Sequence, residues 1–370
     1  MEDQVPLWLV LGLAYLFEFS NGWTDAPNSI ATVVSTRVLR PFQAVVMAAV
    51  LNLLGALAGT EVAKTIAGGI VDADFVTLNT IAAAVLAATV WALGAQYFGL
   101  PSSESHALVA GLLGAGYAAG GLSGLEWEGT RKSLVGLVTS PVGGFFVALL
   151  LMVLIYRVFA HVRPTIVRRI FGKAQIGSAA FMAFSHGSND AQKTMGIIAL
   201  AIALNRLGTG AAAPEEFDIE FWMIISAAVV MGLGTMVGGW RVVKTIGLRL
   251  TKLEPVHGFA AETGAAAVIF GAAQVGIPVS TTHAIGSAIM GVGATERLSA
   301  VRWGVAQQVV TAWILTWPSC ALLGYGLESA FKRVNPIAVI FLAAVVSASL
   351  WGWGTYRRFK DDPARLALAR

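Results

Sequence analysis

A single cysteine, Cys320, occurs in 370 residues. That excludes an intrachain disulfide framework and any cysteine-based zinc or iron–sulfur site. Charge is also scarce: Asp, Glu, Lys and Arg make up 12% of the chain, where a soluble domain carries about 25%. Segments of about ten residues with alternating polarity are missing, which excludes a membrane β-barrel. No Walker motif, G-x-S-x-G elbow or H-E-x-x-H is found, so hydrolysis lacks a nucleophile with a base beside it and the chain does not read as an enzyme. Met1 to Val5 is acidic rather than basic, and no cleavable signal peptide is expected. The net charge of +4 comes from arginines at segment ends, not from a nucleic-acid-binding surface.

Hydrophobic residues are abundant, at 56%. Apolar runs recur at Phe42 to Ala58, Leu78 to Leu93, Ser133 to Tyr156, Phe221 to Val237 and Ile337 to Trp353. Each approaches or exceeds the ~20 residues a helix needs to cross the hydrocarbon core. With the weaker runs, the pattern predicts an all-α polytopic membrane protein of roughly ten to twelve helical segments, some short of a full span. The stretch 157–173 holds Arg157, Arg163, Arg168, Arg169 and Lys173 and no acid, which puts it on the cytoplasmic side. The acidic stretch 205–220, with Glu215, Glu216, Asp218 and Glu220, suits the outside.

The chain also repeats itself. Ser20 to Asn28 reads S-N-G-W-T-D-A-P-N and Ser185 to Lys193 reads S-H-G-S-N-D-A-Q-K. Gly99 to His106 reads G-L-P-S-S-E-S-H and Gly276 to His283 reads G-I-P-V-S-T-T-H. A K-T-I tripeptide starts at Lys64 and again at Lys244, and Pro141 and Pro318 sit in later matching helices. Blocks in one order at near-constant offset mark a duplicated half. The expected organisation is a first transmembrane repeat over 1–159, a basic linker over 160–173, a second repeat over 174–354 and a basic tail over 355–370. By analogy with other transporters the halves form an inverted repeat, its site at their interface. Each aspartate block is expected to interrupt its helix. Each Pro-containing block is expected to form a re-entrant hairpin, because only about ten apolar residues (Ala107 to Gly116) follow the first.

Asp25 and Asp190 fall inside apolar segments, where a lone carboxylate costs at least about 2.5–3.5 kcal/mol. A cation, a proton or a hydrogen-bond network must attend them; the bland alternative is a polar patch packing a helix break. Asn21, Asn28, Asn189 and Gln192 supply nearby oxygens for a hard monovalent cation. Ser102, Ser103 and Ser105 match Val279, Ser280 and Thr282, with Glu104 matched by Thr281. Hydroxyls ahead of a helix start cap it, and the free N–H groups there bind anions, so the paired tips suit a tetrahedral oxyanion. Lys193 can pair with Asp190 at i, i+3, offer charge to an anion, or snorkel. Glu18, Glu61 and Glu262 are further carboxylates near membrane segments. Lys64 and Lys244 fit a membrane edge as well as they fit substrate contact. His106 and His283 read as packing residues before they read as ligands.

N-G-W-T-D-A-P-N and H-G-S-N-D-A-Q-K resemble the paired signature of the inorganic phosphate transporter (PiT) family, commonly written N-G-A-N-D-V-A-N and H-G-A-N-D-V-A-N. The two hairpin blocks match as well, and the resemblance spans about Phe17 to Leu323. It implies an inverted-repeat fold, broken helices around a central site, and phosphate import driven by a cation gradient across a bacterial plasma membrane. Position by position it implies that Asp25, Asn28, Asn189 and Asp190 and the hairpin residues Ser103, Ser105, Ser280 and Thr282 belong to the site. Read from the residues beside these, Thr281, Gln192 and Lys193 join the hairpin hydroxyls as substrate contacts, and Asn21 and Glu104 join Asp25, Asn28, Asn189 and Asp190 around the coupling cation. Gln192-Lys193 departs from the family's final asparagine, and an ammonium there repels Na⁺. The resemblance therefore points to H⁺ coupling without a resident cofactor, with phosphate carried alone or as a divalent metal–phosphate complex. Na⁺ coupling and a sulfate substrate are the family alternatives, and a passive anion channel is the rival of another class. Family members also form homodimers.

Overall fold

The computed structural model describes residues 5–207 and 217–360, with side chains as far as 349. Glu215 and Glu216 of the acidic stretch and residues 361–370 of the tail lie outside the described residues. Among the described residues the chain forms thirteen α-helices and no strand beyond one isolated bridge, Val71 to Leu125. Helices dominate because a backbone in lipid must satisfy its own hydrogen bonds. Five helices are long and apolar enough to cross a membrane, or up to seven if each of two bent pairs is one span.

The first half contains α1 (Leu7–Ser35), α2 (Pro41–Ala56), α3 (Glu61–Gly69), α4 (Leu78–Phe98), α5 (Glu104–Gly120) and α6 (Trp127–Val158). The second contains α7 (Pro164–Leu207), α8 (Phe221–Thr235), α9 (Trp240–Lys244, continued by a π-turn to Arg249), α10 (Pro255–Gln274), α11 (Thr281–Glu296) and α12 (Trp303–Phe331). α13 (Pro336–Lys360) follows. The basic stretch 160–173 is helical from Pro164 onward and runs into the second aspartate block without a stop.

The aspartate blocks do not break their helices, contrary to the expectation from sequence. α1 is continuous for 29 residues with Pro27 inside it, and α7 for 44. Partners from other elements take some of the polar side chains, such as Thr281 and Thr282 for Asn28 and Val279 for Asn189. Asp190 is held within its own helix by His186, Asn189 and Lys193, so the backbone ladder need not open. Pro27 removes its own N–H and leaves the Trp23 carbonyl without that intrahelical donor, and Gly239 packs so close to the Pro27 ring and the Trp23 carbonyl that a Cβ would lie 2.7 Å from each. The sharp bends lie elsewhere, at residues 57–60 and 236–239, just ahead of the short helices that carry the K-T-I elements: α2 and α3 bend by 69°, α8 and α9 by 60°.

The two Gly–Pro turns form as expected, although α5 with the turn after it, Glu104–Gly124, is one of the five segments long and apolar enough to cross rather than a stretch too short to span. α4 and α10 each end at a left-handed glycine, Gly99 and Gly276, both with φ of 69°, a conformation other residues adopt at a cost of about 1–2 kcal/mol. An extended stretch follows, then Ser103 or Ser280 caps the next helix, accepting from the His106 or His283 N–H. α5 runs 17 residues, longer than its apolar core, because the polar tip begins the helix and Tyr117 to Gly120 extend it.

The halves exchange partners. α5 packs on α12 and α11 on α6; α2 packs on α7 and α8 on α1. Gly114 abuts the Ala321 carbonyl and Gly291 the Phe145 carbonyl, the close small-residue contacts typical of membrane helices. Two main apolar cores result. One joins the start of α1, α4, α5 and the end of α7 to α12; the other joins the end of α1, α10, α11 and the start of α7 to α6. α1 and α7 thus cross between the cores in opposite directions, as an inverted repeat requires. Their polar blocks sit where they cross.

Candidate substrate and cation site

Both hairpin tips converge on the polar middle of α1 and α7. His106 and His283, equivalent residues of the two repeats, meet edge to face with ring centroids 4.5 Å apart, so the pseudo-twofold axis passes between them. Trp313 lies against His283 at 4.1 Å, and its indole N–H donates to the Pro101 carbonyl at 3.0 Å. Each K-T-I threonine fastens the hairpin of the opposite half. Thr65 Oγ1 donates to the Gly276 carbonyl at 2.8 Å, and Thr245 Oγ1 to the Gly99 carbonyl at 2.9 Å. The sequence reading weighed the neighbouring lysines instead. Lys64 is half exposed and pairs with Glu61 at 3.2 Å, and Lys244 is exposed.

The second tip meets both aspartates. Thr282 Oγ1 lies 3.0 Å from Asp25 Oδ1, and Thr281 Oγ1 lies 3.2 Å from Asp190 Oδ2 and 3.5 Å from Asp25 Oδ2. Asn28 Nδ2 reaches Thr281 and Thr282 at 3.1 and 3.0 Å. Asn189 Nδ2 donates to Asp190 at 2.7 Å and to the Val279 carbonyl at 3.0 Å. At the first tip, Glu104 accepts from Thr24 at 2.9 Å, and Ser105 donates to the Val279 carbonyl at 2.9 Å. All these side chains are buried.

The two halves differ around their aspartates. Thr282 touches Asp25 directly, but its equivalent Ser105 is separated from Asp190 by the Lys193 ammonium, which donates to both. Asp190 also has His186 Nε2 at 3.2 Å, while His186 Nδ1 lies 3.0 Å from Asn52 Oδ1. Asp190 is therefore compensated by an ammonium, an imidazole and an amide. Among the described residues Asp25 has the Thr281 and Thr282 hydroxyls as its hydrogen-bond partners.

Of the sequence candidates, Asp25, Asn28, Glu104, Ser105, Asn189, Asp190, Lys193, Thr281 and Thr282 come together. Ser103 and Ser280 sit beside them as helix caps. Asn21 is buried one turn before Asp25. Gln192 points elsewhere: its Oε1 accepts from the Val62 and Ala63 N–H groups at the start of α3, and its Nε2 donates to the Ser188 carbonyl. His186 was missed, although its i, i+4 spacing to Asp190 was visible. Asp25, His186 and Asp190 each offer a ligand atom within 4.8 Å of the others, a set able to hold a divalent cation.

A duplicated, antiparallel helical scaffold with two hydroxyl-tipped hairpins closing on buried carboxylates defines a secondary transporter of the multi-pass membrane type. The pattern of the Phosphate transporter family matches residues 21–166 and again 160–324, and the chain belongs to that family. It is 48% identical over 328 residues to a probable low-affinity inorganic phosphate transporter of Rhizobium meliloti, covering 87% of this chain and 96% of the relative. A Bacillus subtilis relative of the same description is 41% identical over 85% of this chain and 94% of its own. The fold is similar to a solved sodium-dependent phosphate transporter, with a TM-score of 0.81 and 26% identity over 89% of this chain and 99% of that one. These relatives are transporters, not enzymes.

Proposed function

We propose that this protein imports inorganic phosphate across a bacterial plasma membrane by symport with protons. The carrying observation is the Lys193 ammonium lodged between Asp190 and Ser105. A fixed cation there neutralises Asp190 permanently and repels a mobile Na⁺ at the same place. Asp25, held by the Thr281 and Thr282 hydroxyls, is left to bind and release the coupling proton. The hydroxyls of Ser105, Thr281 and Thr282 and the N-terminal N–H groups of α5 and α11 present donors to the phosphate oxygens. Rocking of the two cores against each other, with α1 and α7 as the shared elements, exposes the site to alternate sides.

A second reading, in which phosphate travels as a divalent metal complex, is favoured by the Asp25, His186 and Asp190 set. The similar solved structure is described as sodium-dependent, so the decisive experiment separates the cations. Purified protein in proteoliposomes should accumulate phosphate when only ΔpH is imposed. Accumulation that needs Na⁺ and ignores ΔpH would overturn proton coupling. Leakage of phosphate without accumulation under either gradient would favour a channel. Preferential accumulation of competing sulfate would change the substrate.

A further inference from the structure

The polar side chains of α1 and α7 continue past the substrate site at both ends. On α1 they recur at Glu18, Asn21, Asp25, Asn28 and Thr32, all buried. The three- and four-residue spacing puts them on one helix face. On α7 the buried polar positions Gln175, Ser178, His186, Asp190 and Thr194 share one face, interrupted by the buried Met182 between Ser178 and His186. This seam ends in one carboxylate on each side. Glu18, seven residues before Asp25, accepts from Thr194. Glu262, on α10, accepts from Thr32, seven residues after Asp25, from Ser178 and from Gln175 Nε2 at 3.2 Å. Seven helical residues rise about 10 Å, so the carboxylates flank the centre at similar distances on opposite sides. Glu262 lies toward the basic stretch 160–173.

Neither carboxylate touches the substrate site's hydroxyl tips. Among the described residues no Lys, Arg or His forms an ion pair with either. The charged groups that act on Glu18 are Asp190 and Lys193, both on α7; from the helices packed around Glu262 only hydroxyl and amide groups act. A carboxylate fully buried at membrane depth with such partners is costly as a permanent anion. Hydroxyls, unlike ammonium groups, can donate and accept at once. They can pass a proton on without holding a charge.

We propose that Glu18 and Glu262 are proton-relay residues, one on each side of the substrate site, joined by the α1–α7 seam. The inference rests on the proton-symport reading. On one side, water gives up a proton to the carboxylate, forming the neutral acid. The acid then loses that proton along the seam and returns to carboxylate. The Thr194, Thr32 and Ser178 hydroxyls each accept one proton as they donate another. Asp25 takes up and releases the proton at the centre, and water carries it past the Asn21 and Asn28 amides, which have no transferable proton. At the other carboxylate the same two steps deliver the proton to water, so charge and protons balance. Phosphate does not visit either residue.

The test uses full-length protein in proteoliposomes: wild type, Glu18→Gln, Glu262→Gln and the two corresponding Asp variants. Phosphate–phosphate exchange at equal pH is measured beside ΔpH-driven accumulation and phosphate-triggered acidification of the lumen. The Gln variants should retain exchange but lose accumulation and acidification by on the order of 100-fold, the scale for removing a positioned proton-transfer group. The Asp variants should recover part of both. Wild-type accumulation in the Gln variants would overturn the relay. So would loss of exchange in the Gln and Asp variants alike, which marks a structural carboxylate. If wild type itself ignores ΔpH, the symport reading fails, and that result is visible before any variant is made.

Discussion

Asp25 and Asp190 occupy equivalent places in the two repeats, yet their surroundings have diverged, at Lys193 against Asn28, His186 against Asn21 and Glu104 against Thr281. Where Asn28 sends an amide to the tip threonines, Lys193 sends an ammonium to Asp190 and Ser105. Replacing Lys193 by Met should leave Asp190 buried without its principal counter-charge, a loss of about 3–5 kcal/mol, read as a lowered unfolding temperature in detergent. The double change with Asp190→Asn should regain most of it. Lys193→Asn brings the first half's amide into the second, and if protons drive the wild type as proposed, uptake by the variant should gain a dependence on Na⁺. Asp25→Asn should abolish uptake while membrane insertion stays normal, assayed by transport and by yield of folded protein. The aspartates were legible in the sequence because duplication pairs them and apolar flanks isolate them. Gln192 was not, since an amide beside Asp190 reads as a site oxygen until the start of α3 is seen to take it.

At the scale of elements, the hairpins were legible from Gly and Pro followed by hydroxyls. The unbroken course of α1 and α7 was not. Local sequence rich in Gly, Pro and polar residues argues for a break, but the partners that make continuity tolerable come from residues about 90 to 250 positions away, such as Val279 for Asn189 and Thr281 for Asn28. The K-T-I elements show the same limit. Their repetition was plain, but the role of the threonine rests on contacts 211 and 146 residues distant. Thr65→Val and Thr245→Val should each cost about 1 kcal/mol and loosen the hairpin of the other half, measured as faster amide exchange near Gly276 or Gly99 respectively. Exchange that speeds up near the substituted threonine alone would contradict that cross-half connection.

For the whole molecule, the exchange of partners means that neither half is a finished unit. Alone, the first half lacks the α12 surface for α5, and the second lacks the α6 surface for α11. A chain divided between Val158 and Pro164, where α6 ends and α7 begins, should yield two fragments that are degraded or aggregate when expressed singly. Expressed together they should recover uptake, a result checked by co-purification and transport. Stable single halves would show that the cores are less shared than their packing implies.

The antiparallel duplication has a thermodynamic corollary. If the two repeats were identical, turning the molecule over in the bilayer would convert its inward-facing form into its outward-facing form, and the two would have the same free energy. The resting equilibrium between them would then be one, set by symmetry alone. Whatever preference the empty carrier has for one side must come from positions where the copies disagree, chiefly Lys193 against Asn28 and Glu104 against Thr281 within the site. Mutational drift between two copies of one gene segment is thus what gives this molecule a default direction in which to wait.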